Sequence, residues 1–463
     1  MNIHPTVKEI TSIFTQADKQ VYLVGGAVRD LLRGRKAKDW DLATDALPQE
    51  VIALFHRKKT GLSGERVQSF VIPTGIKHGT VTVHFKGLAV EVTTFRSEYG
   101  YSDGRRPDKV EFGTSIEADL SRRDFTMNAA AYRLPGGPLI DPFGGKKDVK
   151  KRLIRCVGDP DLRFSEDGLR PLRALRFASQ LDFKLDEPTL QAIPGALSLT
   201  AEVAAERVKE EFEKIIASAK PSTALLLMEQ TGLLSVFIPE LSVCRGVKQD
   251  RIANQGFHRF DVFDHSLLSC DYAASQDFPQ EVRLAALFHD IGKPQTMSVD
   301  AEGFRSFHRH EKESERLTRQ ILLRMRFPNA VIDKTCHLVL NHMFHYDESW
   351  SDAAVRRFII RAGEENLPFL YALRRSDTYA QSAVPPPPRL LIPLIDRIEK
   401  TLAQSRALSL KDLAISGTDL MATGIPSGKR LGFVLRELLE AVIEDPSLNT
   451  KEKLLEIAGK ISA

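Results

Sequence analysis

The sequence predicts an α+β protein: a small N-terminal head built on a mixed sheet, carried by an elongated and mostly α-helical remainder. Strand-type patterns fall near residues 21–24, 40–43, 79–85 and 88–95, all within the first 135 residues. From about residue 160 the apolar spacing becomes helical, over 165–181, 202–218, 281–289, 311–325 and 390–404. Pro385 to Pro388 then form a stiff extended connector before the last helical segment. These shifts divide the chain into a head (1–140), a helical neck and body (141–245), a second helical domain (246–384) and a C-terminal tail (385–463).

The head opens on its most informative stretch. Val21 to Val24 is an apolar run that ends in Gly25-Gly26 and leads into a helical segment carrying Arg29 and Asp30. Paired glycines at a helix start let backbone N–H groups approach a triphosphate without obstruction by Cβ atoms. Asp39 and Asp41 follow, two residues apart, and in a strand that spacing points both carboxylates to one face. Two hard oxygen ligands on one face suit Mg²⁺ ions bridging an attacking hydroxyl and the α-phosphate of a nucleotide. The strand at 88–95 alternates apolar residues with Glu91 and Thr93. Glu91 reads either as a third carboxylate near the metals or as the polar face of a strand.

The chain has 463 residues, 42% of them hydrophobic, enough for two to four domains with true cores. No apolar run reaches eighteen residues, and Met1-Asn2-Ile3-His4-Pro5 lacks a signal-peptide pattern, so a cytoplasmic location without membrane contact is expected. Cysteines 156, 244, 270 and 336 show no CxxC spacing and are expected to be core thiols. A net charge of +4 does not by itself imply nucleic-acid binding. Local basic clusters at Arg33 to Lys38, Arg105-Arg106 and Lys146 to Arg155 all lie in the first third, beside the expected metal site.

Several motifs in one order carry a resemblance. Gly25-Gly26-Ala27-Val28-Arg29-Asp30 and Asp39-Trp40-Asp41-Leu42-Ala43-Thr44 are followed by His78-Gly79-Thr80-Val81 and Glu91-Val92-Thr93-Thr94-Phe95-Arg96. Then come Arg122-Arg123-Asp124-Phe125-Thr126-Met127-Asn128, Asp141-Pro142-Phe143-Gly144-Gly145 and Arg163-Phe164-Ser165-Glu166-Asp167-Gly168-Leu169-Arg170-Pro171-Leu172-Arg173. The chain resembles the class II tRNA nucleotidyltransferases, which include CCA-adding enzymes and poly(A) polymerases. The likeness is dense from residue 20 to about 215 and thinner beyond. It implies a polymerase-beta-like head, with Asp39 and Asp41 as catalytic metal ligands. It also implies that Gly25, Gly26, Arg29 and Asp30 organise the triphosphate and its neighbouring helix. One residue departs from the pattern: Trp40 is bulkier than the aliphatic residue expected between the aspartates.

The cluster Arg122, Arg123, Asp124 and Asn128 offers cations for phosphate oxygens, an acid to orient them and an amide for the ribose. Asp167 and Arg170 stand three apart, so on one helix they present an acceptor and a donor side by side. That pair matches the amino group and adjacent ring nitrogen of cytosine or adenine, whereas uracil and guanine would place a carbonyl oxygen against the carboxylate. The family's EDxxR pattern implies this role for Glu166, Asp167 and Arg170, with Glu166 orienting the arginine; a Glu–Arg pair that only stabilises a helix is the plainer alternative. Arg173, a turn further on, suits a triphosphate or primer contact. In the family, a flexible loop corresponding to the polar stretch 96–107, with Asp103, Arg105 and Arg106, serves addition of the final A.

Downstream, Asp264-His265, His289-Asp290-Ile291-Gly292-Lys293, His308-Arg309-His310, Asn341-His342 and Ser376-Asp377 resemble an HD phosphohydrolase domain. The resemblance implies His265, His289, Asp290 and Asp377 as ligands of one divalent metal, with His310 and His342 serving a second. A degenerate domain kept for helical packing is the alternative. In the tail, glycine turns at Gly417, Gly424 and Gly428 precede new helices, with Lys429 and Arg430 near a helix start; tRNA contact and plain helix packing both fit.

The reading that follows is an RNA nucleotidyltransferase that completes the 3′ CCA end of tRNA from CTP and ATP with Mg²⁺, and no protein partner is evident. An A-adding enzyme or poly(A) polymerase is the nearest rival. An HD phosphohydrolase with an RNA-binding head is the rival from another class.

Overall fold

The structure is a computed structural model that describes residues 3–55, 68–100, 109–113, 115–249, 259–404 and 409–462. The described chain forms two compact units, residues 1–239 and 240–463. In the first, seven strands make one mixed sheet: β1 (Val21–Val24), β2 (Asp41–Thr44), β3 (Ser69–Gly75), β4 (Thr80–Phe85), β5 (Leu88–Thr94), β8 (Ala131–Arg133) and β9 (Leu139–Ile140), in the order β3-β4-β5-β2-β1-β8-β9. A separate antiparallel pair, β6 (Arg96–Tyr99) and β7 (Lys109–Phe112), stands outside it. β2 lies between an antiparallel neighbour, β1, and a parallel one, β5, with Asp41 opposite both Val24 and Glu91. That register sets the Asp41 and Glu91 carboxylates side by side at the middle of the sheet.

Four of these strands follow the expected pattern closely. Asp39 is an exception: it precedes β2 instead of lying in it. Trp40 turns its ring into the head core, where it is 8% exposed among Val7, Leu42 and Val90. The extra bulk therefore fills space behind the acidic pair. His4 supports this corner, capping the helix Pro5–Gln16 through Nδ1, which accepts from the Thr6 N–H, and tilting against Trp40 with ring centroids 6.4 Å apart.

The expected helix over 165–181 is two helices, Pro160–Glu166 and Arg170–Leu181. Asp167 is extended, with φ −149° and ψ 110°, and Pro171 opens the second helix. Asp167 and Arg170 thus do not share one helical face, as their spacing predicted. The break has a packing cause: Gly168 presses on the segment 197–201, and a Cβ there would meet the Leu199 carbonyl oxygen at 2.7 Å. The helix Ala205–Ile216 then packs against Arg170–Leu181, held by the buried pair Arg176 Nε to Glu211 Oε2 at 2.7 Å.

Among its described residues the second unit's regular structure is helical apart from a short hairpin at Met297–Val299 and Arg305–Phe307. One core gathers Val282, Leu338, Phe358 and Leu373, and another, in the tail, gathers Leu420, Val434, Leu438 and Leu454. Buried Arg356 links them: its guanidinium donates to the carbonyls of Ile443 and Glu444 at the end of the helix Lys429–Glu444, where a cation offsets the helix dipole. Arg430 donates to the Ile461 carbonyl at 2.7 Å, which engages it in packing of the tail. Among the described residues no helix is long and apolar enough to cross a membrane, and all four cysteines are buried free thiols.

Because the break at Gly168 rests on backbone contact, Gly168→Ala is expected to destabilise the first unit by about 1–3 kcal/mol. Urea unfolding followed by a probe in residues 1–239 measures it.

Candidate active site

One cavity of about 760 Å³ in the first unit collects most of the expected residues. Gly25, Gly26, Arg29, Asp39, Asp41 and Glu91 line it from the sheet side, and Arg122, Arg123, Asp124, Asn128, Asp167, Arg170 and Arg173 complete the wall. Its volume falls in the range of small-molecule sites, but its lining is charged where such sites are usually apolar.

The acidic end is only partly compensated. Burial and the Glu91 carboxylate raise the Asp41 pKa to about 6, with Asp39 adding to the push and Arg123 opposing it. Asp41 and Glu91, adjacent across the sheet, with Asp39 in the same cavity wall, are carboxylates of the kind that hard divalent cations take. Gly25 sits tightly here: its φ is +65°, and a Cβ would lie 3.2 Å from an Arg123 nitrogen and 3.4 Å from Asp41 Oδ2. Glycine thus lets the strand turn into the helix Gly25–Leu32 directly over the carboxylates.

The basic end is oriented by acids that the sequence reading assigned differently. Arg122 and Arg123 are held by Asp119, at 2.6 and 3.2 Å, three and four residues before them on the short helix Ile116–Ser121. Asp124, expected to orient those arginines, instead receives Arg173 Nε and Nη2 at 3.0 and 2.7 Å. Burial alone would raise the Asp124 pKa, but Arg173 and Asn128 bring it down to about 2. Asn128 bridges two groups, donating to Asp124 at 3.2 Å and accepting from Arg29 at 3.0 Å. Asp30 stands outside the cavity lining and pairs with Arg29 at 3.0 Å. Arg123 keeps a buried Nε without a hydrogen-bond partner among the described residues, a donor suited to an anionic ligand.

Beside these residues Glu166 accepts from Arg170 and, at 2.8 Å, from Arg163, which holds the Arg170 guanidinium in place. Arg170 also donates to the Arg122 carbonyl at 3.1 Å, fixing the second helix to the basic segment. Arg176, Phe177 and Lys214, which sequence reasoning left aside or weighted little, line the same cavity, with Arg176 stacked 3.5 Å from the Phe177 ring centroid. Asp119 and Glu211 were missed altogether. The first had a legible signal in its spacing to Arg122-Arg123; the second is 35 residues from its partner Arg176 and had none. Asp103, Arg105 and Arg106 lie outside the described residues.

The second unit holds a separate buried cluster. His265, His289 and Asp290 converge, as do Asp290, His310 and His342, with ligand atoms in each group within 4.8 Å of one another. Asp290 belongs to both groups, and Asp377 Oδ1 lies 3.2 Å from His265 Nε2. The Nδ1 atoms of His289, His310 and His342 donate to the carbonyls of Ala286, Phe307 and Val339, at 2.9, 2.8 and 2.7 Å. Those bonds leave each Nε2 aimed at Asp290, the arrangement that metal-binding imidazoles adopt. Burial lowers the pKa of His289, but Asp290 and Asp377 outweigh it and raise it to about 10, so the cluster draws in positive charge. Lys293 Nζ supplies some, 2.6 Å from Asp290 Oδ2.

A mixed-sheet head with a carboxylate-and-arginine cavity, on a helical body, defines the nucleotidyltransferase class of fold. Comparisons with known proteins narrow it. Residues 21–155 match the family "Poly A polymerase head domain", 182–244 match "Probable RNA and SrmB- binding site of polymerase A", and 258–399 match "HD domain". The CCA-adding enzyme of Geobacillus thermodenitrificans is 46% identical over 241 residues, 51% of this chain and 56% of that relative, so this chain matches only about half of that relative's length. The CCA-adding enzyme of Geobacillus stearothermophilus is 33% identical over 459 residues, 97% of this chain and 96% of the relative. A crystal structure of Bacillus stearothermophilus CCA-adding enzyme in complex with CTP aligns over 99% of this chain and 98% of its own, with TM-score 0.71 and 30% identity. The chain belongs to the family of CCA-adding enzymes.

The Asp124 pKa carries a stability consequence. Its folded value, about 2, lies below the ordinary 3.8, so the stabilisation is complete above pH 4 and is lost as pH falls through 2. Asp124→Asn is expected to lose ~2 kcal/mol at pH 7 relative to the parent chain, a gap that narrows only below about pH 4. Denaturant unfolding at pH 7, 5 and 3 measures it.

Proposed function

We propose that this protein is a template-independent RNA nucleotidyltransferase that adds CCA to the 3′ end of tRNA from CTP and ATP, releasing pyrophosphate. The observation that carries the proposal is that one cavity gathers Asp39, Asp41 and Glu91 with Asp167 and Arg170. Asp39 and Asp41, with Glu91 beside Asp41, would hold the metal. Mg²⁺ bound there would stabilise charge on the attacking 3′ oxygen and on the leaving pyrophosphate.

The chain's own residues do the rest. Backbone N–H groups at Gly25 and Gly26 receive the triphosphate at a helix start, and Arg29, Arg123 and Arg173 balance its charge. Arg170 donates to the ring nitrogen of cytosine or adenine, and Asp167 accepts from the exocyclic amino group. A carbonyl oxygen in that place would face a carboxylate, which excludes uracil and guanine. The four-way division into head, neck and body, HD-type domain and tail is part of this reading, as is RNA contact by the body and tail. Buried free thiols suit the cytoplasm, where tRNA is processed.

The histidine cluster favours a second role. Imidazole and carboxylate donors converging on Asp290 suit one or two divalent transition metals and metal-assisted phosphoester hydrolysis.

Two experiments test these readings. Transcripts ending at the discriminator base, C or CC are offered each nucleotide alone and together with Mg²⁺; three additions with CTP plus ATP are expected. A-only extension of the CC end would indicate an A-adding enzyme, and long A tails a poly(A) polymerase. Asp41→Asn should lower extension by about 100-fold or more. In contrast, His310→Ala combined with His342→Ala should leave extension intact and reduce the transition metal retained by purified protein, read by elemental analysis; full retention would remove those two histidines from the metal site.

A further inference from the structure

The base-reading carboxylate is itself held from a third element, and resting on the nucleotidyl-transfer reading above, we infer that Arg207 is a positioning residue for nucleotide selection. Arg207 begins the helix Ala205–Ile216, and its Nη2 donates to Asp167 Oδ2 at 2.8 Å. The other oxygen, Oδ1, accepts the Leu169 backbone N–H at 3.0 Å, closing a turn across the helix break. Each carboxylate oxygen of Asp167 is therefore anchored once, and an ionised carboxylate has about four acceptor positions. The remaining ones keep a fixed direction for a base amino group.

The anchor is rigid because its helix is. Arg207, Glu211 and Lys214 lie four and three residues apart and so share one face. Glu211, 2% exposed, accepts from Arg176 at 2.7 Å and lies 3.7 Å from Arg173, which ties that face to the helix Arg170–Leu181. Among the described residues Arg207 makes one ion pair, to Asp167. It is not part of the cavity lining, so its effect on a bound base passes through Asp167.

Rejection of uracil and guanine depends on a carboxylate that cannot turn away from their carbonyl oxygens. Without Arg207, Asp167 retains one backbone anchor and can rotate to relieve the repulsion. Selectivity should then fall more than catalysis with the correct nucleotides. Lysine in place of arginine keeps the charge but lacks the planar fork, and should restore part of it.

The test measures kcat/KM for all four nucleotides on one tRNA transcript ending at C, for the parent chain, Arg207→Ala, Arg207→Lys, Asp167→Ala and the double variant Asp167→Ala/Arg207→Ala. The CTP-to-UTP ratio is expected to drop by about tenfold or more in Arg207→Ala, equivalent to one charge-assisted hydrogen bond. Arg207→Lys should lie between it and the parent, and the double variant should match Asp167→Ala. An equal fall for all nucleotides would make Arg207 merely structural and overturn the inference, as would a double variant worse in selectivity than Asp167→Ala. If the parent extends no transcript, the nucleotidyl-transfer reading fails and this inference with it. A parent that extends while Arg207→Ala keeps full selectivity sinks the inference alone.

Discussion

The first unit depends on the ion pair between Asp124 and Arg173. Asp124 directly follows Arg122 and Arg123, and Arg173 belongs to the helix that carries Arg170. Both Nε and Nη2 of Arg173 reach one carboxylate oxygen, while the other is occupied by the Phe125 N–H and the Asn128 amide. The acid is nearly enclosed, so losing Arg173 would strand its charge away from water, which costs far more than a surface pair contributes. Through this contact the helix carrying Arg170 is fixed relative to the segment that carries Arg122 and Arg123. The Arg170 bond to the Arg122 carbonyl reinforces the same junction.

Around that junction the cavity is organised as two poles. At the acidic pole burial and Glu91 push Asp41 up, and Arg123 and Arg29 offset this only in part. The basic pole is the reverse: its arginines are each tied by an acid, Asp119, Asp124 or Glu211, that keeps the guanidinium planes in place. Such a layout has a natural reading in charge terms. A ligand that is anionic along one part and brings cations with it, as a nucleotide triphosphate does, satisfies both poles at once, and the acids behind the arginines limit the reorganisation needed to receive it.

What the sequence made legible follows the range of each interaction. β1, β2, β4 and β5 were visible because alternation and apolar runs are local, and the Gly25-Gly26 turn because glycine's backbone freedom is local as well. The break between Glu166 and Arg170 was not visible: apolar spacing continues through it, and the reason for it is a contact between Gly168 and Leu199, 31 positions away along the chain. Asp39 fell outside its strand for a similar reason, since β2 starts only where pairing with Val24 begins. The acids behind the arginines divide the same way. Asp119 could have been found from its spacing to Arg122 and Arg123, whereas Glu211 becomes a partner only after two helices pack. Trp40, which looked out of place between two aspartates, is accounted for by packing, since its ring is buried in the head core just before β2 begins.

The second unit reaches the opposite solution to the same problem of concentrated charge. Its acids, Asp290 and Asp377, are fully enclosed and held well below the usual carboxylate range despite burial, because imidazoles and Lys293 surround them. Oxygen-only donors in the head suit a hard ion that exchanges readily with substrate, and imidazole-rich donors suit a more tightly held transition metal. Burial, with His289 beside it, pushes the His342 imidazole down to about 3, which favours its neutral form. Lys293 is the counterweight, since an ammonium 2.6 Å from Asp290 already supplies part of the charge that a metal would bring. An ion entering this cluster would therefore compete with Lys293 for the Asp290 carboxylate.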